Sequence, residues 1–154
     1  MFFYYFLSFI LCFSENFQSQ KNISDYFYIC SSICIYNKGT QLFYTNDDIN
    51  FKKLLFITNK LFKNSTQVPA LGVSLDTETR KELKTGIWIE FIYNKTQSYN
   101  EMPFDSLLIK INQNCTGINI IRKYNNKYQG RCFYVNLNTD PTEYFNIIKR
   151  IYKM

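Results

Sequence analysis

The stretch Ile87 to Tyr93 alternates with a period of two. Ile87, Ile89, Phe91 and Tyr93 fall on one face, and Trp88, Glu90 and Ile92 on the other. Such a segment is committed to a strand, because successive side chains of extended backbone point to opposite sides. Leu107, Ile109 and Ile111 alternate in the same way with Leu108 and Lys110. Ile118 to Tyr124 and Tyr128 to Leu137 read as a hairpin about Asn125-Asn126, a pair that tolerates positive φ. Pairing in which Asn119 faces Cys132 follows from that turn. Asn94 to Pro103 is polar and reads as a loop.

Upstream, Tyr26 to Tyr36 is aromatic and β-branched, Asn37-Lys38-Gly39 signals a turn, and Thr40 to Thr45 can return as its partner. Leu71 to Leu75 is a brief strand. Three helices interrupt these segments. In the first, Phe51, Leu54, Leu55, Thr58, Leu61 and Phe62 recur at helical spacing after a cap at Asn46 or Asp47. Asp76 caps a short polar helix over 77–84, which Gly86 can end in the left-handed conformation. Asp140-Pro141-Thr142-Glu143 opens the last, with Tyr144, Ile147, Ile148 and Ile151 as its apolar stripe. The expected fold is α+β: one domain with a mostly antiparallel sheet of about six strands and three helices, the last C-terminal. The 154 residues suffice for one core, and 46% hydrophobic and 19% aromatic residues exclude a disordered chain.

Phe2 to Phe13 is a nearly unbroken apolar run without charge. At ~1.5 Å per residue it is too short to cross a hydrocarbon core of about 30 Å, but its length suits a secretory signal. Cys12 and Ser14 are small residues placed for cleavage after Ser14. Residues 1–14 therefore read as a signal peptide, 15–24 as a polar mature N-terminus and 25–154 as the domain. The alternative is an intracellular chain whose first fourteen residues are a core strand. No Lys or Arg precedes the run, which weighs against a signal.

Cleavage would leave Cys30, Cys34, Cys115 and Cys132, an even number that favours disulfides in an exported chain. An extended 26–36 segment holds Cys30 and Cys34 about 13 Å apart, so they bridge each other only if it is helical. The hairpin register sets Cys115 four residues away from facing Cys132, so a bridge from Cys30 or Cys34 to Cys132 fits better. Buried free thiols are the alternative. A four-cysteine zinc site lacks its second close pair. Asn22, Asn64, Asn94 and Asn114 begin Asn-x-Ser/Thr sequons, each in or beside an expected loop, and are glycosylation sites if the chain enters a eukaryotic secretory route.

The chain has no histidine, which removes every Ser-His-Asp triad, Cys-His dyad and His-ligated zinc site. Neither a Gly-rich phosphate loop nor an EF-hand loop occurs, and no cofactor is implied. Catalysis is disfavoured. A histidine-free hydrolase would rest on Glu90, set between Trp88 and Ile92, or on a Glu101/Asp105 pair flanking Met102-Pro103-Phe104. Glu90 reads instead as a solvated side chain on the outer face of the sheet.

Eighteen Lys+Arg against 12 Asp+Glu give a formal net charge of +6. Phe, Tyr, Ile, Asn and Lys fill half the chain, a skew toward A- and T-rich codons that accounts for much of this charge. The basic residues concentrate at the hairpin tip, where Arg122, Lys123, Tyr124, Lys127, Tyr128 and Arg131 form the candidate binding group. Basic plus aromatic also suits single-stranded nucleic acid, but Arg131 stands where an RNA-recognition strand needs an aromatic. The expected function is binding, to a protein or an acidic surface. Oligomeric state is not encoded in any motif.

Overall fold

The computed structural model describes residues 22–69, 72–112 and 116–153. The proposed signal segment, Cys115 and the Asn114 sequon lie outside them. Elements follow in the order 3-10 helix Ile23–Ile29, β1 Ser32–Asn37, β2 Thr40–Thr45, α1 Ile49–Phe62, β3 Thr66–Val68, β4 Val73–Ser74, α2 Asp76–Leu83, β5 Ile87–Tyr99, β6 Met102–Lys110, β7 Gly117–Lys123, β8 Gly130–Arg131, β9 Phe133–Asn136 and α3 Thr142–Lys153. Seven strands form one antiparallel sheet in the order β2-β1-β5-β6-β7-β9-β3, and β4 pairs with β8 in a second, two-stranded sheet. The fold is a single α+β domain with its last helix C-terminal.

The period-two pattern divides the main sheet into two unlike faces. Ile33, Ile35, Ile89, Phe91, Leu107, Ile109, Ile120 and Phe133 face one side, where the 3-10 helix, α1 and α3 cover them. Phe27 packs against both Phe62 of α1 and Phe91 of the sheet, at ring separations of 4.8 and 4.6 Å. The other face carries Cys34, Tyr36, Trp88 and Leu108, covered by Leu83 of α2 and by Tyr128. That cover is partial.

Several expectations change. Residues 23–29 coil into a 3-10 helix because Ile23, Tyr26 and Phe27 gain burial on one side that an extended strand would divide between two. β5 and β6 run through the expected 94–103 loop to a tight turn at Asn100-Glu101, both at positive φ, with a bulge after Ile92. Asp48, not Asn46 or Asp47, precedes α1, and its carboxylate accepts the Thr45 N–H at 2.7 Å. Gly86 is not in the left-handed region. It is required because a Cβ there would stand 2.8 Å from Trp88 Nε1, which donates to the Glu82 carbonyl. In the last hairpin Asn119 faces Tyr134, two residues beyond the expected Cys132, because Gly130–Arg131 leaves β9 to pair with β4. Asp140 caps α3 as expected, accepting the Thr142 N–H at 2.9 Å.

The expected disulfides are overturned: Cys30, Cys34 and Cys132 are buried and free. Cys30 lies in the helix-covered core, whereas Cys34 faces the opposite side of the sheet. Cys132 adjoins β9, four strand positions from β1, or about 19 Å at ~4.8 Å per strand. A disulfide spans at most ~7 Å between Cα atoms. Burial raises the Cys132 thiol and pushes those of Cys30 and Cys34 up to about 12, so they pack as small apolar groups. Of the described sequon residues, Asn22 and Asn64 are exposed beside helix ends, while Asn94 is exposed in the β5 bulge rather than a loop.

Candidate binding site

The less covered face gathers polar side chains from four adjacent strands. The alternation that sends Ile89 and Phe91 into the main core sends Glu90 to this side. β1 contributes Tyr36, β6 contributes Ser106, and β7 contributes Lys123, which lies directly across from Ser106. Tyr128 arrives from the far side of the Asn125-Asn126 turn, whose residues adopt φ of 48° and 60°. Two carboxylates hold that turn down. Asp105 accepts the Asn125 N–H at 2.9 Å, and Asp76, on the first turn of α2, accepts the Tyr128 N–H at 2.8 Å.

Glu90 is 1% exposed, which overturns its reading as a solvated outer-face residue. The cause is its neighbours' hydroxyls. Tyr36 donates at 2.6 Å, the Tyr128 hydroxyl lies 3.1 Å from both carboxylate oxygens, and Ser106 donates to Oε1. Lys123 Nζ stands 3.6 Å from the same oxygen. A buried carboxylate is tolerable only when its lone pairs are filled in this way. Burial first, and the Glu90 charge second, push the Tyr36 and Tyr128 hydroxyls far above their ordinary range, so both remain protonated donors at neutral pH. The cluster is closed on itself. Its hydroxyl donors are spent on Glu90, and both carboxylate oxygens are occupied.

Above it lies a concavity of about 490 Å³. Glu90, Tyr36 and Tyr128 form its floor, Gln41 and Phe43 of β2 one wall, and Arg80 and Lys84 the other. Lys123 Nζ and the Arg80 guanidinium lie 5.1 and 5.3 Å from the Tyr128 ring centre, within cation–π range. Arg80 is tied to Asp76 at 2.8 Å, which holds that carboxyl below the usual range. Among the described residues Lys84 makes no ion pair, and its backbone stands against the β1–β2 turn.

The six-residue hairpin group is thus divided. Lys123 and Tyr128 turn inward to Glu90. Arg122 donates to the carbonyls of Pro103 and Arg131 and is used in holding the strands together. Tyr124, Lys127 and Arg131 remain exposed. Glu101 and Asp105 do not combine, since Glu101 occupies the β5–β6 turn while Asp105 bonds Thr96 and Asn125. In a larger hollow of about 960 Å³ near Tyr99, Gln67 and Arg131, the Tyr99 hydroxyl bonds Gln67 and Arg122 donates to the Pro103 carbonyl.

Sequence reasoning missed Tyr36, Ser106, Arg80 and Lys84. Alternation assigns each strand residue a face, yet only the register of distant strands shows that these faces coincide. Comparison of the chain with protein-family models, with characterised proteins and with solved structures finds no match.

Proposed function

We propose that the protein is a binding module that seats an anionic group of its partner in the basic concavity over Glu90. The observation that carries this reading is the distribution of free charge. The one carboxylate in the floor is fully engaged by hydroxyls, while Lys84, which pairs with no carboxylate among the described residues, and the partly exposed Lys123 both line the opening. A carboxylate entering there gains charge-assisted hydrogen bonds in a partly desolvated place, where they are stronger than in open water. The aromatic floor adds apolar contact beside the charge.

Glutarate, a dicarboxylate with the chemistry of an acidic side chain, is the probe. Titrated into the isotope-labelled full chain, it should shift the amide resonances of Lys84, Lys123 and Tyr128 and saturate with a Kd of order 1 mM. Binding should fade as salt rises, since exposed charges are screened over ~8 Å at physiological ionic strength. Lys84→Glu should abolish it. Shifts confined to Lys127 and Arg131 would move the contact to the exposed tip, and no shift anywhere would end this reading.

A further inference from the structure

β2 forms one end of the seven-stranded sheet, and among the described residues nothing pairs with its outer side. Natural edge strands are normally blunted by charge, proline, a bulge or a cover. Thr40-Gln41-Leu42-Phe43-Tyr44-Thr45 has no charge and no proline, and its register with β1 is unbroken over all six residues. The β1–β2 turn is the two-residue kind, with Lys38 and Gly39 at φ of 49° and 89° and Asn37 facing Thr40. In such a hairpin the closing pair exchanges both hydrogen bonds, and bonded pairs then alternate. Thr40, Leu42 and Tyr44 therefore bond β1, while the N–H and C=O of Gln41, Phe43 and Thr45 point outward. Thr45 confirms the parity, because its N–H donates to the Asp48 carboxylate at 2.7 Å. Asp48 thus closes one end of the edge. Gln41 and Phe43 leave it open.

Those two residues also form a wall of the basic concavity, and Phe43 is 58% exposed. On the other side of the sheet, the alternate residues Leu42 and Tyr44 are half-buried. A strand laid beside β2 would send one set of side chains past Gln41 and Phe43 toward Lys84 at the rim of the concavity and the next set toward Leu42 and Tyr44. We infer that the partner is an extended segment of another protein with alternating acidic and apolar residues, which adds to β2 as an eighth strand and sets an acidic side chain against Lys84 at the rim of the concavity. Main-chain bonds supply affinity and the basic seat supplies selectivity. This inference rests on the seat for an anionic group and names what carries that group.

The test uses a capped octapeptide of alternating Glu and Val, the same peptide N-methylated in each of its two alternating phases, and glutarate, each titrated into the full chain. The octapeptide should bind about tenfold or more tightly than glutarate and slow amide exchange at Gln41 and Phe43. One N-methylated phase, which lacks the N–H groups facing β2, should fall back to the level of glutarate. Phe43→Pro, which removes an outward N–H without breaking a bond to β1, should weaken the octapeptide about tenfold more than it weakens glutarate. If both N-methylated peptides bind as well as the parent, or the octapeptide binds no better than glutarate, strand addition is overturned while the anionic seat stands. If neither probe binds, the seat itself is wrong. If the Gln41 and Phe43 amides are already protected in the free chain, the edge is occupied by a second copy or by residues 1–21, and the inference also fails. Light scattering separates those two occupants.

Discussion

Lys123 and Lys127 stand either side of one turn and meet different surroundings. Lys123 Nζ lies 3.6 Å from buried Glu90 with its side chain 25% exposed, while Lys127 is exposed. Reversing Lys123 sets a second carboxylate against the first with no cation between them. Lys123→Glu should therefore cost about 2–4 kcal/mol in urea unfolding, and Lys127→Glu should stay within about 0.5 kcal/mol. Equal midpoints for the two variants would show that Lys123 does not face Glu90. The tyrosines carry a prediction in alkali. Tyr36 and Tyr128 ionise far above pH 10 in the folded chain but near 10 when unfolded. Their folded-state preference for the proton is fully present below pH 10, and stability should fall as pH climbs beyond it. In Tyr36→Phe that alkaline loss should be shallower, read from unfolding midpoints between pH 8 and about 11. A slope as steep as that of the parent would mean that Tyr36 is not the buried donor. Glu90 was legible as a residue of one strand face, but its burial was not. Its hydroxyl partners come from 54 and 38 residues away, beyond any local pattern.

At the scale of elements, whatever depends on neighbours in sequence was readable. The Asp140 cap and the stripe of α3, the apolar face of α1 and the β1–β2 turn all follow from contiguous residues and hold in the fold. Tertiary demands overrode propensity elsewhere. Burial of Ile23 and Phe27 turned the start of the expected 26–36 strand into a 3-10 helix, leaving β1 to begin at Ser32, and pairing with β4 displaced the register of the last hairpin. Gly86 is the sharpest case, because a packing constraint stands where a turn residue was expected. Gly86→Ala sets a methyl 2.8 Å from Trp88 Nε1 and 3.2 Å from the Glu82 carbonyl. One of them must give way, and the Trp88–Glu82 bond is the weaker restraint. The expected cost is about 1–3 kcal/mol, together with a red shift in the emission of the chain's single tryptophan. Unchanged emission with unchanged stability would mean that the α2–β5 junction has slack.

For the molecule as a whole, the class and the helix order were legible, and the strand order was not. Pairing of β1 with β5 joins segments separated by about fifty residues, and no local signal records which distant strand a given one selects. Among the described residues no helix is long and apolar enough to cross a membrane. Export with cleavage after Ser14 remains a proposal about residues outside the described fold. The intact mass of material collected from the secretory route should lack the first fourteen residues, and a mass that retains them would refute the signal reading. The strand order also has a consequence in time. β5, β6 and β7 are neighbours in both sequence and sheet, so they can assemble by closing short loops, whereas β1 and β2 are synthesised first and must wait for β5. The β5–β6–β7 meander is the expected folding nucleus. Leu107→Ala in β6 should slow refolding, and Ile35→Val in β1 should chiefly hasten unfolding, a division that chevron plots of the two variants resolve. Until the meander forms, a nascent chain would expose both edges of its first hairpin, and the exposure would last as long as the ribosome takes to reach β5.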